Sequence, residues 1–218
     1  TKRDIIERYG IDEKKIEVVY NGFDQETHNI NQKSRQKLPY FIFIGAVHPR
    51  KNVLNLLKAF ELFKQKNNHT TQLILVGRKA WMNNELEHFL QNMKYKNDVI
   101  WIENCNRNEL IQLLQNAVAL VYPSLFEGFG IPIIEAMSMC VPVITSTVSA
   151  LPEIAGNAAL LVNPESINEI EIAMKNIVED ELLRLDLIEK GKANALRFSW
   201  QTSAEKVIQI IQGFSKKT

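Results

Sequence analysis

Residues 118–136 read VALVYPSLFEGFGIPIIEA, and the order of their apolar run, glycine-bearing loop and helical start decides the fold. VALVYP (118–123) is apolar without alternation, as a strand buried on both faces is. Pro132 suits the first turn of a helix, where its missing N–H costs nothing. Between them, Gly128 and Gly130 flank Phe129, and glycine lets the backbone turn tightly and approach a ligand closely. Strand, loop and helix in that order make one unit of an α/β sheet.

Working outward, the same unit recurs. YFIFIG (40–45), QLILVG (72–77), DVIWI (98–102), VPVITS (141–146) and AALLVN (158–163) are further strand candidates. The stretches 51–67, 83–96, 107–117, 132–140 and 166–180 carry apolar residues at three- and four-residue spacing, which predicts helices. The alternation implies a Rossmann-like parallel sheet of six strands with helices on both faces and right-handed crossovers. Residues 3–24 predict a helix, a short strand and a turn, and the polar stretch 25–37 reads as a linker. After residue 180 two more helices follow with no strand between them, and Phe198 and Trp200 at their junction read as packing anchors. The divisions are 1–36, 37–196 and 197–218.

Composition narrows the function classes. The 218 residues are 45% hydrophobic and 23% charged, and the net charge of +1 supplies no field for nucleic acid or an anionic membrane. Cys105 and Cys140 are isolated, which reads as two half-buried thiols in a reducing cytosol. No apolar run approaches the ~20 residues of a membrane span, and no signal peptide is read. The chain starts at Thr1 rather than Met, which suggests a piece of a longer protein.

Parallel sheets of this kind bind ligands beyond the carboxyl ends of their strands. Around 126–136, Glu127 stays on the loop while Glu135 sits about one helical turn in. Both flank the free N–H groups of a helix start, which attract anions. Amide donors between two carboxylates suit a ligand with phosphate and hydroxyl groups, such as a ribose or hexose diol. The alternative for Glu135 alone is that it only offsets the helix dipole, worth about 0.3–1 kcal/mol. In GAVHPRKN (45–52), Arg50 and Lys51 open the next helix, where cations are unfavourable unless something negative, such as a diphosphate, lies near. Gly77 is a second close-approach point, with Arg78 and Lys79 as weaker phosphate candidates. His48 reads as a hydrogen-bonded structural residue, and His28, His69 and His88 are assigned nothing. Neither GxGxxG nor a P-loop occurs, which argues against a dehydrogenase half or a P-loop NTPase.

EGFGIPIIEA (127–136) resembles the E-x7-E motif of retaining glycosyltransferases of the GT-B fold, specifically glycosyltransferase family 4, the glycosyl transferases group 1. The segments VVYNGFD, FIGAVHPRKNV, LILVG, the run from Asn108 to Pro164, and FSW match as well, so the resemblance covers nearly the whole chain. It implies the C-terminal, donor-binding domain of a two-domain enzyme. Residues 1–36 are then the tail of the N-terminal domain and the hinge, and the last helix returns toward that domain.

The resemblance places Glu135 on the ribose hydroxyls and Glu127 near the donor sugar. Phe129 and Gly130 would offer backbone N–H groups to the sugar or its phosphate, and Lys51 would meet the diphosphate. Gly45, Gly77, Gly128 and Ile131 complete the donor site, and the loop around Cys105 and Asn106 meets the base, mostly by backbone. Relatives often carry Arg after the first strand's glycine, where this chain has Ala46. Either Arg50 supplies the second cation or the phosphate site is weaker.

The implied reaction is retaining hexosyl transfer from a nucleotide-diphosphate sugar, of mannosyl or glucosyl type, to a glycan or lipid acceptor bound by the N-terminal domain. This piece alone would be inactive, cytoplasmic, and in contact with membrane only through the other half. No cofactor or metal is expected: Lys51 and Arg50 would stabilise the leaving diphosphate, and the sequence has no DxD triplet or His/Cys cluster. Glu127 would orient and stabilise rather than attack. A nucleotide-sugar epimerase and a non-catalytic nucleotide-sugar-binding module are the alternatives.

Overall fold

The computed structural model describes residues 2–23, 38–67 and 69–215. In chain order the elements begin with α1 (Lys2–Tyr9), β1 (Tyr40–Ile44), α2 (Val53–Asn67), β2 (Gln72–Val76), α3 (Asn84–Asn92) and β3 (Val99–Ile102). They continue with α4 (Arg107–Gln115), β4 (Ala119–Tyr122), α5 (Ile131–Ser138), β5 (Val143–Ser146), α6 (Leu151–Ala155) and β6 (Leu160–Val162). The chain then closes with α7 (Ile167–Glu179), α8 (Glu181–Ala195) and α9 (Trp200–Ser215).

The six strands form one parallel sheet in the order β3-β2-β1-β4-β5-β6. Every residue of β4 and β5 is buried, which is why their sequences lack alternation. The outer strands β3 and β6 are more open, with Leu161 39% exposed. Helices cover the sheet in two groups: α2 packs with α3 and α7, and α5 packs with α6 and α8. The expected fold class, a Rossmann-like parallel sheet of six strands with helices on both faces, is the one observed.

Helix starts follow side-chain chemistry. Asn83, Asn106, Ser166 and Asp180 each accept an N–H of the first turn, satisfying a donor that the helix itself leaves open.

Three expectations need correction. The strand predicted before residue 24 does not form: among the described residues, 16–20 have no ladder partner, and a β-rich stretch without a partner edge is not a strand. That stretch is fixed by side chains instead: the Tyr20 hydroxyl donates to Glu153 (2.5 Å), and its carbonyl accepts from the Ser203 hydroxyl (2.6 Å). Of the two anchors, Phe198 is 1% exposed and packs edge-on against Tyr20 and Phe129, whereas Trp200 is 55% exposed at the start of α9. Of the thiols, Cys105 is half-buried but Cys140 is exposed, at φ 61° where the chain leaves α5. The linker 25–37 and His28 lie outside the described residues. No described helix is long and apolar enough to cross a membrane.

Candidate functional site

In this strand order the direction of winding reverses between β1 and β4. The crevice beyond the carboxyl ends of those two strands is where such sheets bind ligands. The loop after β1 brings Arg50 and Lys51 to it, and the loop after β4 brings Glu127.

Arg50 and Lys51 do not open α2 as expected. They lie in a separate 3-10 turn, Pro49–Lys51, whose first donor, the Arg50 N–H, is accepted by His48 Nδ1 (3.2 Å). Asn52, at φ 59°, then redirects the chain into α2. Its buried amide donates to the carbonyls of Pro123 (3.0 Å) and Pro164 (2.7 Å), tying this turn to the loops after β4 and β6. The Leu125 N–H donates to the Arg50 carbonyl (2.7 Å), a second tie between the two loops.

The three charged side chains meet. Glu127 is 8% exposed; its Oε1 accepts from Lys51 Nζ (2.6 Å) and from the Tyr122 hydroxyl (3.0 Å), and its Oε2 accepts from Arg50 Nη1 (2.8 Å). Lys51 Nζ also donates to the Tyr122 hydroxyl and lies 4.7 Å from the centre of that ring. Burial pushes the Glu127 carboxyl up; hydrogen bonds from Lys51, Arg50 and Tyr122 and the charge of Lys51 pull it down further, leaving it below its ordinary value. For Tyr122, burial and then the Glu127 charge push the phenol well up, so it stays protonated and donates. The anion expected to compensate the two cations is therefore Glu127 itself, within this chain. Two cations against one carboxylate leave one positive charge in surplus at neutral pH.

The loop from Glu127 to α5 is held in shape from across the sheet. The Ser149 hydroxyl accepts from the Glu127 N–H (3.0 Å) and donates to its carbonyl (2.6 Å). Gly130 precedes α5 at φ 110°, a backbone that side-chain-bearing residues rarely adopt, and a Cβ there would meet Leu151 at 3.0 Å. Among the described residues, none accepts the N–H of Phe129 or Gly130, so these donors remain for a ligand. Ile131 is half-exposed, and the Phe129 ring packs against Tyr20 and Phe198. A groove of 760 Å³ opens beside Gly128 and Phe129, bordered by Tyr20 and Glu153.

Glu135, 9% exposed, sits one turn into α5, and its Oε1 accepts from Arg107 Nη1 (2.8 Å). Among the other candidates, Gly45 ends β1, and a Cβ on Gly77 would stand 2.1 Å from the Gly45 carbonyl oxygen. Gly77 thus has a backbone reason to be glycine. Asn106 caps α4: its Oδ1 accepts from the Glu109 N–H (3.0 Å), leaving mainly backbone for a base, while Cys105 packs against the core. Lys79 pairs with Glu103 (3.2 Å) over the Trp101 ring, away from the phosphate role considered for it, and Arg78 is exposed.

Sequence reasoning missed Tyr122, Ser149 and Arg107. Tyr122 was hidden as one more residue of an apolar strand. Arg107 stood in a loop already singled out, next to Asn106. Ser149 carries no local signal.

The sequence model of the family "Glycosyl transferases group 1" matches residues 24–194. The chain belongs to that family. O-antigen chain mannosyltransferase B of Escherichia coli is 33% identical over 169 residues, covering 78% of this chain and 44% of its own length. O-antigen chain mannosyltransferase RfbU of Salmonella typhimurium is 35% identical over 176 residues, covering 81% of this chain and 48% of its own. The chain thus spans about half the length of these curated group 1 relatives. Among solved structures, a glycosyltransferase from Rickettsia africae superposes with a TM-score of 0.85 at 19% identity, over 100% of this chain and 62% of that one. The C-terminal domain of LpcC from Francisella tularensis, a group 1 family protein, superposes at 0.64 with 24% identity, over 74% of this chain and 87% of that domain. At these identities the superpositions speak to the group 1 fold alone.

Proposed function

We propose that this chain is the donor-binding half of a retaining glycosyltransferase that moves a hexosyl unit, mannosyl foremost, from a nucleoside diphosphate to a glycan or lipid acceptor. The observation that carries the reading is the Arg50–Lys51–Glu127 cluster at the reversal point of the sheet, with Glu135 one turn further along. The mannosyl choice rests on the printed names of the two O-antigen relatives. A cytoplasmic setting fits a nucleotide-sugar donor.

In this reading Lys51 and Arg50 turn from Glu127 to the donor's diphosphate. Negative charge grows on that group as the anomeric C–O bond breaks, and fixed cations stabilise it in a low-dielectric crevice. Two cations at that place do the work of a divalent metal, which supports a metal-independent reaction. The N–H groups of Phe129 and Gly130 lie where sugar or phosphate oxygens would arrive. Glu135 accepts the ribose hydroxyls. Glu127, held by the Tyr122 hydroxyl, orients the sugar and steadies positive charge at its anomeric carbon. The acceptor approaches from the side supplied by the other half, and the leaving diphosphate oxygen takes its proton on the face it departs from, which preserves configuration.

A thermal-shift panel of nucleoside diphosphates and nucleotide sugars on this chain tests the donor role. A ligand that binds the folded state raises the melting midpoint by mass action, about 2.7 kcal/mol at a hundredfold excess over Kd. GDP- or UDP-sugars at the top of the ranking would name the donor, and a panel without any shift sinks the reading.

A further inference from the structure

The loop between β3 and α4 stands beside the nucleoside end of the proposed donor site, yet its side chains are engaged locally, with Cys105 packed against the core and Asn106 capping α4. Arg107 is different. It is the first residue of α4, where a cation opposes the helix dipole. The capping box formed by Asn106 and Glu109 already satisfies that terminus, so Arg107 does not serve it. Instead it reaches 28 positions along the sequence to Glu135 on α5, at 2.8 Å, with its own side chain 40% exposed.

Glu135 is the buried member of that pair, with its side chain 11% exposed. A carboxylate so far out of water needs a hydrogen-bond partner, and Arg107 supplies one. The bond also ties one carboxylate oxygen to a point on α4, which limits how the Glu135 side chain can turn. It does not use up the acceptor: an ionised carboxylate has about four lone-pair positions, and this bond takes one of them at Oε1.

We propose that Arg107 is a positioning residue for nucleotide recognition: it holds the Glu135 carboxylate turned so that it accepts both hydroxyls of a ribose. Preference for a ribo- over a 2′-deoxyribonucleotide then depends on a side chain that touches neither hydroxyl. The inference rests on the donor-binding reading above.

The test is calorimetry of this chain with GDP, UDP and ADP, each against its 2′-deoxy counterpart, for the parent, Arg107→Ala and Arg107→Lys. The parent should prefer the ribo form of whichever nucleotide it binds by about tenfold or more, the yield of one charge-assisted hydrogen bond. Arg107→Ala should bring that preference to within about threefold while leaving the affinity for inorganic pyrophosphate, which reports Lys51 and Arg50, unchanged. Arg107→Lys keeps the charge without the planar fork and should fall between; it also serves if the alanine variant fails to fold. The proposal is overturned if these variants keep the parent's preference. It is equally overturned if removing Arg107 tightens binding, because Arg107 would then compete with ribose for Glu135. A parent that binds a nucleotide without ribo preference sinks this inference together with the ribose role of Glu135, whereas a parent that binds none of the three sinks the whole donor reading.

Discussion

Glu127 and Glu135 stand eight positions apart, and both are almost wholly buried, yet their surroundings differ. Glu127 is gripped by Lys51, Arg50 and Tyr122, three side chains drawn from the loop after β1 and the end of β4. Glu135 is joined by one guanidinium from a neighbouring helix. The first arrangement is preorganised around charge, and preorganised charge suits groups that must meet a developing negative charge. The second leaves most of its acceptor capacity unused, which suits reversible binding of hydroxyls. Identical side chains on one motif are thus set in different surroundings by what faces them.

The comparison can be broken, and the largest expected effect lies on the Glu127 side. In an enzyme carrying both halves, Lys51→Ala should cost on the order of 10²–10³ in turnover, the range for one preorganised donor. A change of less than about threefold in steady-state rate would remove the diphosphate role. On the other side, Glu135→Ala should weaken nucleoside diphosphate binding by about tenfold to a hundredfold, the loss of hydrogen bonds to a charged acceptor, with turnover at saturating donor nearly unchanged. Calorimetry beside kinetics separates these outcomes; equal losses in both would erase the contrast between the two glutamates.

Smaller effects sharpen it. Tyr122→Phe removes the hydroxyl from Glu127 and Lys51, and should lower stability by about 1 kcal/mol in chemical denaturation, since the rest of the ring stays packed. Glu127→Gln weakens the internal anion that holds the two cations. Pyrophosphate should then bind severalfold tighter, on the order of 1 kcal/mol, even as turnover falls; unchanged pyrophosphate affinity would show that Glu127 does not compete for them. The pH dependence has a defined sign. The Glu127 carboxyl lies below its ordinary value of 4.5 in the fold, so its stabilising effect is complete above that value and is lost as pH falls below it. Parent and Glu127→Gln melting curves should therefore converge as the pH is lowered beneath 4.5.

Much of the architecture was legible because burial on both faces writes itself as uninterrupted apolar runs. All six strands lie within the stretches read from the sequence, each trimmed by one or two residues at its ends. The failures have physical causes. Residues 16–20 look like a strand because they carry Ile16, Val18 and Val19, but a strand needs an edge to pair with, and composition does not report edges. α6 spans five residues, too few to display a helical period, so it left no pattern to read. Trp200 was taken for an anchor on residue type alone, while Phe198, two positions earlier, fills that place.

At the site, the motif named Glu127 and Glu135, and the cation pair followed from its position after the first core strand. What faces each glutamate did not follow. Tyr122 reads as one more apolar strand residue, Arg107 as a polar loop residue, and Ser149 as nothing in particular.

The amino-acid sequence by itself determined the parallel α/β sheet and named two acids and two cations on the loops at its ligand-binding edge, because periodicity, glycine placement and charge are local properties of the chain. Only the tertiary structure decided which charge meets which. The contact of Lys51 with Glu127 spans 76 positions and that of Arg107 with Glu135 spans 28. Contacts of that reach are fixed by strand order and helix packing, which bring loops together regardless of how far apart they lie along the chain.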